Sequence, residues 1–149
     1  MTDFLPQTGV YALRAMTCIA SLPPGERASN ERIASSTLVP KAFLSKVLRR
    51  LVTAGLLDGL KGHGGGFALA RPKEEIRFVD VLEAVGVQLS FEHCAFGFGR
   101  CSATRPCPLH DHWVVLRGNL HDWAASRTFA DVHCHDVRTW TPGDPSLSG

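Results

Sequence analysis

The sequence predicts a mostly α-helical fold with one small β-hairpin: a winged helix-turn-helix domain followed by a long C-terminal helix. Three observations carry this expectation. Two short helical patterns flank a brief turn, Thr37-Leu38-Val39, and the second of them is basic. A flexible run, Gly62-His63-Gly64-Gly65-Gly66, lies between two strand-length apolar segments. Beyond a cysteine-containing loop, Leu109, Trp113, Leu116, Leu120 and Trp123 recur at intervals of 4, 3, 4 and 3, which is helical periodicity.

Taken in order, Gly9 to Leu22 reads as the first helix. Val10, Leu13, Cys18 and Ile19 are among its apolar positions, and Pro23-Pro24-Gly25 ends it. Cys18 reads as a small buried hydrophobe, not a ligand. Ser29-Asn30-Glu31 offers capping residues for a short helix over Arg32 to Ser36. Pro40 suits the first position of the next helix, where its missing N–H costs nothing, and Gly55 supplies the stop. That helix places Phe43, Leu44, Val47, Leu48 and Leu51 on one face, with Lys41, Ser45, Lys46, Arg49 and Arg50 on the others. Leu56 to Lys61 and Phe67 to Ala70 form the strands of the wing. Phe78 to Val85 is a further short helix closed by Gly86.

The apolar stripe from Leu109 to Trp123 suits either a dimer seam or a core face, and its two tryptophans favour the seam. Thr139 to Gly149, rich in Pro, Gly, Ser and Thr, reads as a disordered tail. The expected division is a DNA-binding domain over 1–86, a cysteine-rich loop over 87–107, a dimerisation helix over 108–132 and a tail over 133–149.

Charge is uneven along the chain. The net formal charge is +2, yet between Pro40 and Lys73 seven basic residues face Asp58 alone. A basic lobe on a near-neutral chain indicates a local polyanion site. By themselves Lys41, Lys46, Arg49 and Arg50 would be a solvated helix face; combined with the turn and the Gly-rich hairpin they read as a DNA-facing surface. Enzyme readings fail. His63-Gly64-Gly65-Gly66 superficially matches an esterase oxyanion-hole motif, but no G-x-S-x-G elbow accompanies it, and there is no P-loop.

The remaining signal is the loop from Phe91 to Trp113. It holds Cys94, Cys101 and Cys107, separated by six and then five residues, with His110 after two more. Structural zinc sites bring ligands in close pairs, because four bonds converge on one small ion. Wider intervals suit an iron–sulfur cluster, whose irons are separated. Zinc, or reduced or disulfide-linked cysteines, stay open as alternatives at this level. Five cysteines, no secretory leader and no membrane-spanning apolar run predict a reducing, cytoplasmic location.

Several segments together carry a family resemblance. They are Tyr11-Ala12-Leu13-Arg14-Ala15, Pro40-Lys41-Ala42-Phe43-Leu44, Leu48-Arg49-Arg50-Leu51 continuing to Leu56, the Gly62–Phe67 wing with Leu69-Ala70-Arg71-Pro72, and the three-cysteine loop. In this order they resemble the Rrf-two family of bacterial transcription regulators, which includes IscR, NsrR and RirA, over about residues 8–132.

The resemblance implies a homodimeric winged helix-turn-helix repressor that binds a pseudo-palindromic operator in double-stranded DNA, with no membrane role. Its DNA affinity would depend on a cluster sensing iron, redox state or nitric oxide. Carried over by position, Lys41, Ala42, Phe43, Ser45 and Lys46 begin the helix that enters the major groove. Lys46, Arg49 and Arg50 lie beside or behind that start, as candidate phosphate contacts. At the wing, Lys61 stands where the family usually has Arg, beside Gly62, and His63 stands where it often has Pro. Lys keeps the charge without the planar fork, which weakens minor-groove discrimination.

Cys94, Cys101 and Cys107 would be cluster ligands. NsrR-like members use an acidic residue where this chain has Val10, which cannot coordinate iron. IscR-like members use a His three residues after the third cysteine, and His110 stands there. This implies a [2Fe–2S] cluster with Cys₃His ligation, while a first cysteine interval one residue longer than in IscR leaves [4Fe–4S] as the alternative. His93 and His112 are neighbouring rivals that read better as exposed histidines, and His133-Cys134-His135 reads as a surface segment. An electron-carrier or cluster-transfer protein using the same loop is the contrasting functional reading; the basic run argues against it.

Overall fold

The computed structural model describes residues 5–89 and 92–132. Helix α1 spans Gln7–Ala20, α2 Asn30–Thr37 and α3 Lys41–Thr53. Strands β1, Leu57–Leu60, and β2, Gly66–Leu69, follow, then α4, Phe78–Ala84, and α5, His110–Ser126. The expected elements are present in the expected order, and the fold is mostly helical with a small antiparallel hairpin. The expected tail and His133-Cys134-His135 lie outside the described residues.

Small residues let α1 sit at the centre. Ala12, Ala15 and Met16 are fully buried where α1 meets α2, α3 and α4. Ser29 caps α2 as expected, its Oγ accepting from the Arg32 backbone N–H at 3.2 Å. The helix-turn-helix corner is made by Leu38, which adopts a left-handed φ of 57° and stays exposed. A β-carbon in that conformation is crowded, so the corner carries strain that a glycine would not. Pro40 then precedes α3, whose Leu44, Val47, Leu48 and Leu51 fill the core. Phe43 departs from the expected apolar face: it is 43% exposed and meets Tyr11 edge-on at 5.7 Å. It lies at the rim of the core, against Tyr11 of α1.

The wing pairs Leu57 with Leu69 and Leu60 with Gly66. It is held from a third side. Ala28 and Phe67 exchange backbone hydrogen bonds of 3.1 and 2.8 Å. Gly66, at a φ of 127°, lets the chains approach, because a β-carbon there would stand 2.6 Å from the Ala28 carbonyl oxygen.

The chain after α5 returns to the first domain. Phe129 N–H donates to Ile76 O at 3.1 Å, Phe78 N–H donates to Arg127 O at 2.9 Å, and the Phe129 ring is fully buried. Phe78 packs between Phe129 and Trp123, at centroid distances of 5.0 and 5.5 Å. The predicted apolar stripe of α5 therefore divides. Leu120 and Trp123 pack toward α4, Trp113 is half-buried, and Leu109 and Leu116 are exposed, as is Val115 beside them. No helix among the described residues is long and apolar enough to cross a membrane.

Candidate nucleic-acid interface and metal centre

Two helix starts and the wing tip build the first site. Lys41 forms an ion pair with Glu31 of α2, and Ser45 Oγ accepts from Asn30 Nδ2 at 2.9 Å while donating to Lys41 O at 3.1 Å. Ala42, Phe43, Lys46 and Arg49 are exposed along the same helix. Arg50 is engaged differently. Its Nη1 donates to Val85 O at 2.9 Å, tying α3 to the C-terminal end of α4. At the wing tip Lys61, Gly62 and His63 are all exposed, and the turn closes through Gly65 N–H donating to Gly62 O at 3.0 Å.

Sequence reading missed Arg27. Its guanidinium pairs with Asp58 and also donates to Asp58 O at 3.2 Å and Gly66 O at 3.3 Å, clamping both wing strands. The partners are 31 and 39 residues away, so no local pattern announces them. Asp58, the lone acid of the basic stretch, is thus spent on the wing itself.

The second site is the cysteine loop. Its first half folds into a small hairpin: His93 bridges Arg100, Cys94 N–H donates to Gly99 O at 2.8 Å, and Cys101 N–H donates to Glu92 O at 2.6 Å. Glu92 and Arg100 close the base as an ion pair, whose hydrogen bond holds the Glu92 carboxyl below the usual range. Trp113 of α5 pins this hairpin, its Nε1–H donating to His93 O at 2.9 Å.

The four predicted ligands come together in two pairs. Cys101 Sγ lies 3.1 Å from His110 Nδ1. Cys94 and Cys107 hydrogen-bond through their thiols; N–H groups of Phe96, Gly97 and Phe98 also turn to the Cys94 sulfur. The Phe96 N–H, first among these, shifts the Cys94 thiol down, whereas burial shifts Cys107 up. All three cysteines are free and half-buried. No three His, Cys, Asp or Glu side chains among the described residues converge closely enough to hold a single metal ion. His93 and His112 are exposed. Three soft sulfur donors and an imidazole, spread over two pairs and backed by N–H groups, fit a multi-iron group better than one zinc ion.

A basic helix-turn-helix with a clamped wing is the winged-helix architecture of DNA-binding proteins. Comparison with known proteins agrees. The family model described as "Rrf2: Iron-dependent Transcriptional regulator" matches residues 5–135, and the chain belongs to this family. A putative HTH-type transcriptional regulator of Aquifex aeolicus is 32% identical over 124 residues, covering 82% of this chain and 85% of the relative. The HTH-type transcriptional regulator IscR of Cereibacter sphaeroides is 26% identical over 140 residues, covering 89% of this chain and 90% of IscR. Among solved structures, CymR, the global cysteine regulator of B. subtilis, superposes with a TM-score of 0.73 at 19% identity, covering 95% of this chain and all of that one. T. potens IscR gives 0.67 at 22% identity, covering 88% and 86%. The two structures share the fold.

Proposed function

We propose that the protein is a homodimeric repressor whose DNA affinity is controlled by a [2Fe–2S] cluster held by Cys94, Cys101, Cys107 and His110. The observation that carries this is the 3.1 Å approach of Cys101 Sγ to His110 Nδ1, beside the Cys94–Cys107 contact. When bound, the cluster would supply a redox-active, nitric-oxide-reactive iron centre. The chain's own residues do the rest. N–H groups around Cys94 stabilise its thiolate, Trp113 fixes the loop to α5, and His110 begins that helix.

Residues 1–86 serve as the DNA-binding unit, 87–107 as the cluster loop and 108–132 as the dimerisation segment, of which only His110–Ser126 is helical. Lys41, Ala42, Phe43, Ser45 and Lys46 read the major groove; Arg49 contacts phosphate; Lys61, Gly62 and His63 approach the minor groove. Arg50, committed to Val85, contributes by positioning α3 rather than by touching phosphate. Two-fold symmetry then requires a pseudo-palindromic operator.

The test is His110. Anaerobically purified His110→Ala should retain a labile, spectrally altered cluster, because three thiolates remain. His110→Cys should restore stability at a lower reduction potential, since thiolate adds negative charge. Mössbauer and absorption spectra report both. An unchanged spectrum and lifetime in His110→Ala would remove His110 from the ligand set.

A further inference from the structure

Two side chains of α2 occupy the residues that open α3. Glu31 holds the Lys41 ammonium, and Asn30 holds the Ser45 hydroxyl at 2.9 Å. The first turns of the two helices therefore open on one side, the side that meets DNA in the reading above. Core packing does not demand the Glu31–Lys41 pair, since their side chains are 68% and 60% exposed. Helix α3 contains no acidic residue, and Asp58 is committed to Arg27. Glu31 thus brings a negative charge to the start of a helix otherwise suited to phosphates. The Lys41 hydrogen bond holds its carboxyl below the ordinary range, so that charge persists wherever the protein would meet DNA.

A lysine already paired with a carboxylate adds no net charge to the DNA face. Duplex bound without register then releases one fewer counterion than the count of lysines implies. Only DNA that offers Lys41 a well-placed base edge or phosphate displaces Glu31. We propose that Glu31 is a specificity-determining residue of the DNA face, withholding Lys41 from unregistered DNA and yielding it to the cognate site. The inference rests on the DNA-binding reading.

The experiment uses the full-length protein and two duplexes of equal length. One is selected by the wild type from a randomised pool, and the other is unrelated in sequence. Glu31→Gln should tighten binding to the unrelated duplex roughly twofold to fivefold at low salt, the scale of one exposed ion pair. Its slope of log affinity against log salt should steepen by about 0.9, one additional phosphate contact. Affinity for the selected duplex should rise less, so discrimination falls. Glu31→Ala should behave alike. In a Lys41→Ala background, Glu31→Gln should alter neither duplex, because Glu31 acts through Lys41.

Failure separates cleanly. If the wild type selects no duplex and shows no salt-dependent binding, the DNA reading itself fails. If the wild type discriminates but Glu31→Gln leaves salt slope and discrimination unchanged, the inference is overturned. It is equally overturned if Glu31→Gln acts as strongly without Lys41, since the carboxylate would then repel phosphate directly.

Discussion

Asp80 gathers three hydrogen bonds from Arg77 at the start of α4. Its Oδ2 accepts from the Arg77 backbone N–H at 3.0 Å and from Arg77 Nε at 3.1 Å, and its Oδ1 accepts from Nη2 at 2.8 Å. Burial pushes this carboxyl up, but the Arg77 hydrogen bonds and charge outweigh it, and the net shift is downward from 3.8. A depressed folded-state value means stability that is present above the ordinary carboxylate range. That stability is lost as pH falls through 3.8 and below. Asp80→Asn should therefore destabilise the protein near neutrality by about 1 kcal/mol, the scale of a lost helix cap. The difference from wild type should shrink in urea titrations as pH drops below 4. A penalty that is the same at pH 7 and pH 3 would mean the amide disturbs packing and not charge.

At the scale of elements, the wing is a three-sided object and not a free hairpin. Arg27 ties both strands to the α1–α2 connection, and Ala28 pairs with Phe67 as a third edge. An isolated two-stranded hairpin is marginal in water. Arg27→Ala should leave global stability within about 1 kcal/mol, as expected for an ion pair whose carboxylate is exposed. Hydrogen exchange at β1 and β2 should accelerate, and affinity should fall most for sites flanked by narrow A·T-rich grooves. Uniform loss of affinity, with wing exchange unchanged, would mean that Arg27 touches DNA itself.

The helices and the wing were legible in the sequence because their signals are local: the Ser29 cap, Pro40 before α3, the glycines at the tip. The cysteine loop stood out by its spacing, whereas His110 as a fourth candidate ligand came from the family resemblance and not from spacing. What the sequence hid were contacts between distant residues. Arg50 read as a candidate phosphate contact, yet its guanidinium bonds a carbonyl 35 residues on. Phe129 carried no periodic signal, being one aromatic after the end of a helix, yet it is a fully buried plug.

For the whole molecule, the exposed apolar surface of α5 is where the proposed dimer would form. Val115 and Leu116 are 62% and 54% exposed, with Leu109 just before the helix also open. In the proposed dimer this surface is covered by a second copy. Leu116→Asp, placing charge where apolar contact is needed, should shift sedimentation toward monomer and shorten the DNase footprint to one half-site. A variant that stays dimeric would move the interface elsewhere on the chain.

The docking of Phe129 gives α5 the geometry of a lever. Its C-terminal end is fixed where Ala124 is buried and the chain runs on to the buried Phe129, and its N-terminal end carries His110. Seventeen residues make an arm about 25 Å long, so a tilt of about 5° at the fulcrum sweeps His110 through about 2 Å. Run in the other direction, a 2 Å change in how Cys101 and His110 are held becomes a small rotation against Phe78. From Phe78 the path is short: α4 ends at Val85, whose carbonyl grips Arg50 and with it α3. In the proposed regulator, ångström-scale rearrangement of the ligand pairs would be geared down along this path to a few degrees at α3.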